Sequence, residues 1–431
     1  MDTIFAVSSG QPPAAIAVLR LSGPGAVAAA EALAGSLPPP RKAGLRALRD
    51  PADGALLDRA LLLWFAAPRT ATGEDLVELH LHGGRAVVQA VEACLARQPG
   101  LRRAEAGEFT RRALANGRLD LSEAEGLGDL LLAETEAQRR AALANAQGAV
   151  RRKTEAWQDR LLMLAARVEA MLDHADEDDV VDDAATLDAV RAESAELGEE
   201  LAAVLKSPPI ERLRDGIRVV LAGPPNSGKS TLLNALVDRD AAIVSPIAGT
   251  TRDRIEASIV RNGIAWSLTD TAGLADETDD PIERIGIARA EEAMRGADLL
   301  LWLADAAPPE LAGVTILTLY PRADLPGREH PPSDRIAVSA AEGRGMEELW
   351  SAMEQAAQSL LPREDALALN RRQGDLLREA ASALADVAAH HDPLLVAEDL
   401  RRARRSFDRI TGRADVEGVL DALFGRFCIG K

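Results

Sequence analysis

The chain of 431 residues has only two cysteines, Cys94 and Cys428, one near each end. So few thiols exclude a disulfide framework and favour a reducing compartment, so the sequence predicts a cytoplasmic protein. No long apolar run marks a membrane span, and the N-terminus lacks the basic and apolar regions of a secretory signal. A formal net charge of −18 argues against a protein that coats nucleic acid without sequence preference.

Proline is absent between Pro99 and Pro208, and this gap helps to divide the chain. From Leu119 the gap is rich in Ala, Leu, Glu and Arg with apolar residues three and four apart, which predicts long amphipathic helices. The segment before Leu119 alternates strand-like and helical runs, as an α+β domain does. From about Leu213 a strand–loop–helix alternation predicts an α/β nucleotide domain, and helical texture resumes at Pro362.

We therefore predict a multidomain protein in which an α/β domain is inserted into an all-α helical domain. The predicted limits are an N-terminal α+β domain at 1–118, helical halves at 119–212 and 362–431, and the insertion at 213–361. An acidic stretch at 173–183 is interpreted as a solvated loop, with a metal site as the open alternative.

The segment from Gly223 to Ser230 fits the phosphate-binding pattern G-x-x-x-x-G-K-[ST]. It follows a β-branched run at 217–222, which predicts a buried strand, and precedes a helical pattern at 230–237. A helix N-terminus offers backbone N–H groups and a positive dipole end to phosphate, Lys229 adds a charge, and Ser230 offers a hydroxyl to Mg²⁺. The predicted nucleotide contacts here are Asn226, Ser227, Gly228, Lys229, Ser230 and Thr231.

Two further motifs follow in the order typical of a Ras-like P-loop GTPase. Thr251 is predicted to bind Mg²⁺ and sense the γ-phosphate, Asp270 to hold the metal through water, and the Gly273 amide to meet the γ-phosphate. The predicted nucleotide-binding residues of these motifs are Ser245, Pro246, Ile247, Ala248, Gly249, Thr250, Thr251, Asp270, Thr271, Ala272 and Gly273.

The base-reading element departs from the usual Asn-Lys-x-Asp run, in which the Asp pairs with the N1 and N2 edge of guanine. Here a strand-like run leads into Pro321-Arg322-Ala323-Asp324, which keeps only the Asp. Arg322 can still stack its planar group on a base, but loss of the Asn predicts a weaker link to the phosphate loop. Ser339 and Ala340 supply a second base-side contact, so guanine is favoured over adenine.

The catalytic arrangement also departs from that of the commonest GTPases. Leu274 stands where many have a Gln that orients the attacking water, and leucine cannot form a hydrogen bond. No arginine finger is evident to neutralise charge in the transition state. Asn226, with oxygens of the 245–250 segment, suggests a bound monovalent cation in its place, although a loop Asn often only forms a turn.

Taken together, the motifs GxPNxGKS, GTTRD, DTAGL, ERIG and a C-terminal CIGK resemble those of the MnmE (TrmE) family of tRNA-modification GTPases. The resemblance extends over the whole chain, including the N-terminal blocks LRLSG and TGEDLVELHLHGG. It implies potassium-stimulated GTP hydrolysis, with K⁺ held by Asn226, Ser245, Ile247 and Thr250. It also implies Mg²⁺ held by Ser230 and Thr251, and a water-orienting acid at Glu283.

The resemblance also implies a homodimer whose N-terminal domain binds 5-formyltetrahydrofolate or a related folate, through Arg20, Glu78, Arg118 and Lys431. It further implies an FAD-dependent partner, MnmG (GidA), in a heterotetramer or larger complex that modifies C5 of the wobble uridine of certain tRNAs. From the residues alone, alternation places Glu78, His80 and His82 on one strand face, where a carboxylate can pair with a pterin. A Glu-x-His-x-His metal site is the competing interpretation.

Three alternatives stay open at this point. Cys428 is either a catalytic thiol or a small buried apolar residue. A GTP-dependent ribosome-assembly factor would need a basic RNA-binding appendage, which the acidic helical arms do not offer. A folate-binding scaffold protein would fit if the altered base element no longer holds guanine.

Overall fold

The computed structural model describes residues 2–173, 183–240, 256–271, 281–363, 366–414, 417–425, 427 and 429–430. These residues form two compact units. The first comprises Met1–Gly128, Asn145–Glu155 and Phe407–Lys431, and the second comprises Asp129–Ala144 and Ala156–Ser406. No helix among the described residues is long and apolar enough to cross a bilayer.

The N-terminal part of the first unit is a six-stranded sheet with three helices, and this confirms the predicted α+β domain. Its strands are β1 (Thr3–Val7), β2 (Ile16–Ser22), β3 (Gly44–Arg49), β4 (Leu56–Phe65), β5 (Leu76–His82) and β6 (Leu101–Arg103). Their order is β3-β4-β5-β2-β1-β6, and only the β1–β6 pair is parallel. The helices are α1 (Ala26–Ala34), α2 (Arg85–Ala96) and α3 (Glu108–Ala115).

Alternation along these strands separates a buried apolar face from a polar one. Leu19 and Leu21 of β2 and Val77 and Leu79 of β5 are fully buried in the core that also holds side chains of α1 and α2. Because side chains alternate along a strand, the residues between them lie on the other face. The predicted alternation of β5 is therefore confirmed, and Glu78 and His80 lie on its half-exposed face.

The proline-free stretch forms long helices, as predicted. They are α4 (Leu121–Leu132), α5 (Glu136–Ala146), α6 (Ala149–Asp173) and α7 (Asp183–Leu205). The first begins with a capping box, because the Asp120 carboxylate accepts a hydrogen bond from the Glu123 amide and the Glu123 carboxylate accepts one from the Asp120 amide, both at 2.8 Å.

The second unit contains the predicted P-loop GTPase fold. After the short helix α8 (Glu211–Arg214) come β7 (Ile217–Ala222), α9 (Lys229–Asp240), β8 (Glu256–Arg261), β9 (Ile264–Asp270), α10 (Pro281–Gly296), β10 (Leu299–Trp302), β11 (Thr315–Pro321), β12 (Ile336–Val338) and α11 (Met346–Leu360). The sheet order is β12-β11-β10-β7-β9-β8. All pairs are parallel except β8–β9, so the carboxyl ends of β7, β9, β10 and β11 meet at one edge.

Helical structure resumes after the GTPase fold with α12 (Arg371–Ala389), α13 (Pro393–Thr411) and α14 (Glu417–Phe424). α12 begins with a capping box between Asn370 and Gln373, and it packs against α7. The segments that enter and leave the GTPase fold also lie side by side. The Ile210 amide donates to the Leu369 carbonyl at 3.0 Å, and the Arg371 amide donates to the Glu211 carboxylate at 2.7 Å. The α/β domain is thus an insertion into the helical domain.

Ile429 and Gly430 of the C-terminal motif lie against the N-terminal part of the first unit. Ile429 forms an isolated bridge with Ala106, and the Ser8 hydroxyl donates to the Gly430 carbonyl at 2.8 Å. Gly430 has φ 96°, and a Cβ at this position would lie 2.1 Å from the Val7 carbonyl oxygen. Only glycine fits so close to the end of β1.

Candidate functional site

The phosphate loop connects the buried strand β7 to the start of α9, as the motif requires. Gly223 opens the loop with φ 155°, and a Cβ there would lie 2.8 Å from the Leu303 carbonyl oxygen of the neighbouring strand's end. Glycine is therefore needed for the close approach of the two chains. Since α9 begins at Lys229, the loop ends where the free N–H groups of a helix start, and these groups favour an anion.

The Lys229 ammonium is buried and held by the loop itself. Its Nζ donates to the carbonyl oxygens of Gly223 and Pro224, both at 2.9 Å. Burial lowers the pKa of Lys229 below its usual value, while the negative charge of Asp270 opposes the shift. The fold thus keeps a poorly solvated positive charge against neutral oxygens, and a phosphate would give this charge an anionic partner.

Ser230 and Asp270 meet beside the phosphate loop. Asp270 ends β9 opposite Leu221 of β7, and its carboxylate accepts a hydrogen bond from the Ser230 hydroxyl. The next residue, Thr271, anchors this end of the strand by donating to the Leu221 carbonyl at 2.8 Å. A hydroxyl and a carboxylate side by side are oxygen ligands of the type that Mg²⁺ prefers.

A cavity of about 330 Å³ adjoins the phosphate loop. It is lined by residues of the loop and α9 and by residues that follow β11 and β12, among them Ser227, Gly228, Thr231, Arg322, Asp324 and Ala340. The structure therefore brings the predicted base-reading residues to the same cavity as the predicted phosphate loop. Ser339 is fully buried beside it, and its hydrogen bond to Asp324 lowers the pKa of that carboxyl.

The link between the base element and the phosphate loop differs from the expected one. Arg322 has φ 57° and its guanidinium donates to the carbonyl oxygen of Asn226, which has φ 60°. An arginine in the left-handed region costs about 1–2 kcal/mol, so this conformation is an unusual feature of the loop. Loss of the usual Asn therefore leaves the two segments connected, because Arg322 joins them. Sequence reasoning considered Arg322 only as a stacking group.

Part of the predicted site lies outside the described residues. The predicted Mg²⁺ and K⁺ ligands Ser245, Ile247, Thr250 and Thr251, with Pro246, Ala248 and Gly249, belong there, as do Ala272, Gly273, Leu274, Cys428, Lys431 and most of the acidic stretch at 173–183. Glu283 lies in the first turn of α10.

A second polar cluster lies on the half-exposed face of the N-terminal sheet. Arg20 of β2 and Glu78 of β5 are register partners, and the guanidinium donates to the carboxylate at 2.8 and 3.2 Å. His80 Nε2 lies 3.4 Å from the same carboxylate, and the Arg20 guanidinium lies 5.9 Å from the centroid of the Phe109 ring. The pair is thus an ordered, half-buried charged group beside an aromatic ring, which suits a flat polar heterocycle.

Of the other two predicted folate residues, Arg118 is among the residues that the structure describes and Lys431 is not. Arg118 follows α3, is exposed, and donates to the Thr70 carbonyl at 3.1 Å, so the contacts described for it do not include the Arg20–Glu78 pair. Lys431 lies outside the described residues; Gly430, the residue before it in the sequence, contacts Val7 and Ser8 at the end of β1.

A metal site on β5 is not supported. His82 turns to the Asp58 carboxylate, with Nδ1 at 2.7 Å from its oxygen, rather than joining Glu78 and His80. Among the described residues, no group of three or more His, Cys, Asp or Glu side chains is arranged to hold a metal ion.

Comparison with known proteins covers almost the whole chain. A family model described as the MnmE helical domain matches residues 121–428, and one described as the GTP-binding protein TrmE N-terminus matches residues 3–118. Among solved structures, the match to the G domain of the T. maritima FeoB iron transporter covers 33% of this chain and 99% of that one, at 25% identity and a TM-score of 0.24.

Curated relatives are similar along their full length, and each is named tRNA modification GTPase MnmE. Those from Erythrobacter litoralis and Novosphingobium aromaticivorans are both 54% identical over 100% of both chains. One from Rhizorhabdus wittichii is 56% identical over 100% of this chain and 97% of its own. Matches of this extent show that the chain belongs to the MnmE family of tRNA modification GTPases.

Proposed function

We propose that this chain is a potassium-stimulated GTPase that acts with a flavin-dependent partner of the MnmG type. Together they convert C5 of the wobble uridine of certain tRNAs to an aminomethyl or carboxymethylaminomethyl form, with a folate-derived one-carbon unit. The observation that carries the proposal is 54% identity over the full length of relatives named tRNA modification GTPase MnmE. The proposed place of action is the cytoplasm.

The described geometry supports the nucleotide half of the proposal. Lys229 would bind the β- and γ-phosphates, and Asp324 the N1 and N2 edge of guanine. Mg²⁺, held by Ser230 and Thr251, would neutralise phosphate charge. Three predicted segments would together surround the phosphates: Asn226 to Thr231, Ser245 to Thr251, and Asp270 to Gly273.

The absence of a water-orienting Gln at Leu274 supports a different catalytic arrangement. We assign the orientation of water to Glu283, which lies in the first turn of α10, the helix that follows the Asp270 motif in the sequence. K⁺ would be held by Asn226, Ser245, Ile247 and Thr250 and would supply the positive charge that other GTPases take from arginine. Hydrolysis would drive opening and closing of the GTPase domains rather than perform the modification.

The cluster on the N-terminal sheet supports folate binding. Glu78 would accept hydrogen bonds from the pterin amino and ring N–H groups, Arg20 would hold Glu78 in place, and Arg118 and Lys431 would bind anionic parts of the ligand.

Leu45 and Leu61 lie opposite each other on β3 and β4 and are 66% and 38% exposed. Such paired apolar side chains support a homodimer formed through this domain.

Replacing Glu78 with Gln is expected to weaken binding of 5-formyltetrahydrofolate by roughly 10- to 100-fold, because hydrogen bonds to a charged group contribute about 1.5–3 kcal/mol. Isothermal titration calorimetry measures the affinity, and GTP turnover should stay unchanged. His82→Gln is the matched control, since His82 lies on the same strand and pairs with Asp58 instead. If the Glu78→Gln variant binds the folate with wild-type affinity, Glu78 does not contact the ligand.

The proposed function as a whole is tested in a strain that lacks the chain. Mass spectrometry of its tRNA is expected to show wobble uridines without the C5 substituent, and re-expression of the chain should restore it. Normal substituents in the deletion strain would overturn the proposal.

A further inference from the structure

Arg322 is the residue that sets the base element of this chain apart from the usual Asn-Lys-x-Asp run. It directly follows β11, and Pro321 before it offers no side-chain donor or acceptor. Any side-chain connection from these first two positions to the phosphate loop must therefore come from Arg322.

The conformation of Arg322 is fixed by its surroundings. Its left-handed φ of 57° lies in a turn in which the Leu325 amide donates to the Arg322 carbonyl at 3.1 Å. The adjacent Ala323 amide donates to the Val338 carbonyl at the end of β12, also at 3.1 Å. An arginine rarely adopts this backbone conformation. Its presence at the wall of a cavity therefore indicates that the conformation serves to direct the side chain.

The Arg322 side chain crosses from the base element to the phosphate loop. Its Nη2 donates to the Asn226 carbonyl, and its Nε would lie 3.8 Å from a Cβ at Gly228. The same side chain lines the cavity that Asp324 also lines. Arg322 thus contacts the backbone of Asn226 and lines the same cavity as Asp324.

We propose that Arg322 is a positioning residue that couples occupancy of the base cavity to the geometry of Asn226. A base stacked on the guanidinium would restrict its motion, and the hydrogen bond would then hold the Asn226 backbone in place and so fix the point from which its amide side chain reaches a cation. The inference rests on the proposed function, in which Asn226 is a K⁺ ligand. It predicts that nucleotide affinity and potassium response depend on the same arginine.

The test compares R322A and R322K with the unsubstituted chain in two measurements. Calorimetry gives the GDP affinity in KCl and in NaCl, and a potassium titration gives the K⁺ concentration for half-maximal GTP turnover. In R322A we expect GDP affinity in KCl to fall about 10-fold and the half-activating K⁺ concentration to rise about 5-fold or more, since both contacts are lost. Lysine keeps a donor without the planar face. Because a base then has no guanidinium to stack on, R322K should stay close to R322A in both GDP affinity and half-activating K⁺ concentration.

Arg328→Ala provides a matched control on the same loop. The Arg328 guanidinium lies 3.9 Å from the centroid of the Tyr320 ring and pairs with Asp305 at 3.1 Å, away from the phosphate loop. This variant should keep both the GDP affinity and the potassium response of the unsubstituted chain.

Two results would overturn the inference, and only the second would also contradict the proposed role of K⁺. If R322A loses GDP affinity equally in both salts and keeps its half-activating K⁺ concentration, Arg322 is only a wall of the cavity, and the proposed function is untouched. If the unsubstituted chain turns over GTP equally in KCl and NaCl, the proposed K⁺ role fails, and the coupling fails with it.

Discussion

Replacing Lys229 with Ala is expected to abolish GTP turnover and to weaken GDP and GTP binding by at least about 100-fold, because each lost charge-assisted contact to a phosphate contributes about 1.5–3 kcal/mol. Among the described residues the ammonium donates to the carbonyls of Gly223 and Pro224, and burial lowers its pKa. Its removal should therefore cost the nucleotide-free protein little stability.

Thermal unfolding with and without GDP measures both parts of this prediction. The variant should unfold near the wild-type temperature without nucleotide, and the stabilisation that GDP gives the wild type should disappear. Lys206→Ala, which removes an exposed lysine just after α7, is the control and should keep the GDP effect. Undiminished stabilisation of the Lys229→Ala variant by GDP would show that the loop does not hold the phosphates.

GTP turnover is expected to be about 10-fold or more faster in KCl than in NaCl at equal ionic strength, since the positive charge that replaces an arginine finger acts on the transition state. Asn226→Gly should remove this difference and keep GDP affinity. Glycine is the sharper substitution here because Asn226 has φ 60°, which glycine adopts without strain, and because the backbone carbonyl that Arg322 contacts remains.

Initial rates at saturating GTP in the two salts measure this difference. Asn226→Ala serves as the comparison, because it removes the same amide but strains the loop. Equal rates in both salts for the unsubstituted chain would contradict the cation's role. If Asn226→Gly keeps the full potassium response, Asn226 is not a K⁺ ligand, and the cation then acts at another position of the site.

Local patterns predicted much of the fold. The β-branched run at 217–222 is β7 with the same limits, and the helix predicted from Ser230 begins one residue earlier at Lys229. Such features follow from nearest neighbours in the sequence, since strand alternation and glycine turns are set within a few residues. The alternation of Glu78 and His80 with buried residues was predictable for the same reason.

Contacts between distant segments could not be predicted in this way. The hydrogen bond from Arg322 to Asn226 depends on a left-handed arginine, a conformation that no local pattern favours. The pairing of His82 with Asp58, which argues against a metal on β5, depends on the register of β4 and β5. The close fit of Gly430 on Val7 likewise joins the two ends of the chain.

The most direct test supplies the purified chain and its flavin partner with unmodified tRNA, GTP, an amine source and a tetrahydrofolate whose one-carbon unit carries ¹³C. Mass spectrometry of the digested tRNA then locates the label. We expect ¹³C in the C5 substituent of the wobble uridine in KCl, and none when Lys229→Ala replaces the unsubstituted chain. Label in the uridine with the Lys229→Ala variant, or a modified uridine without label, would contradict a GTP-driven transfer of a folate carbon.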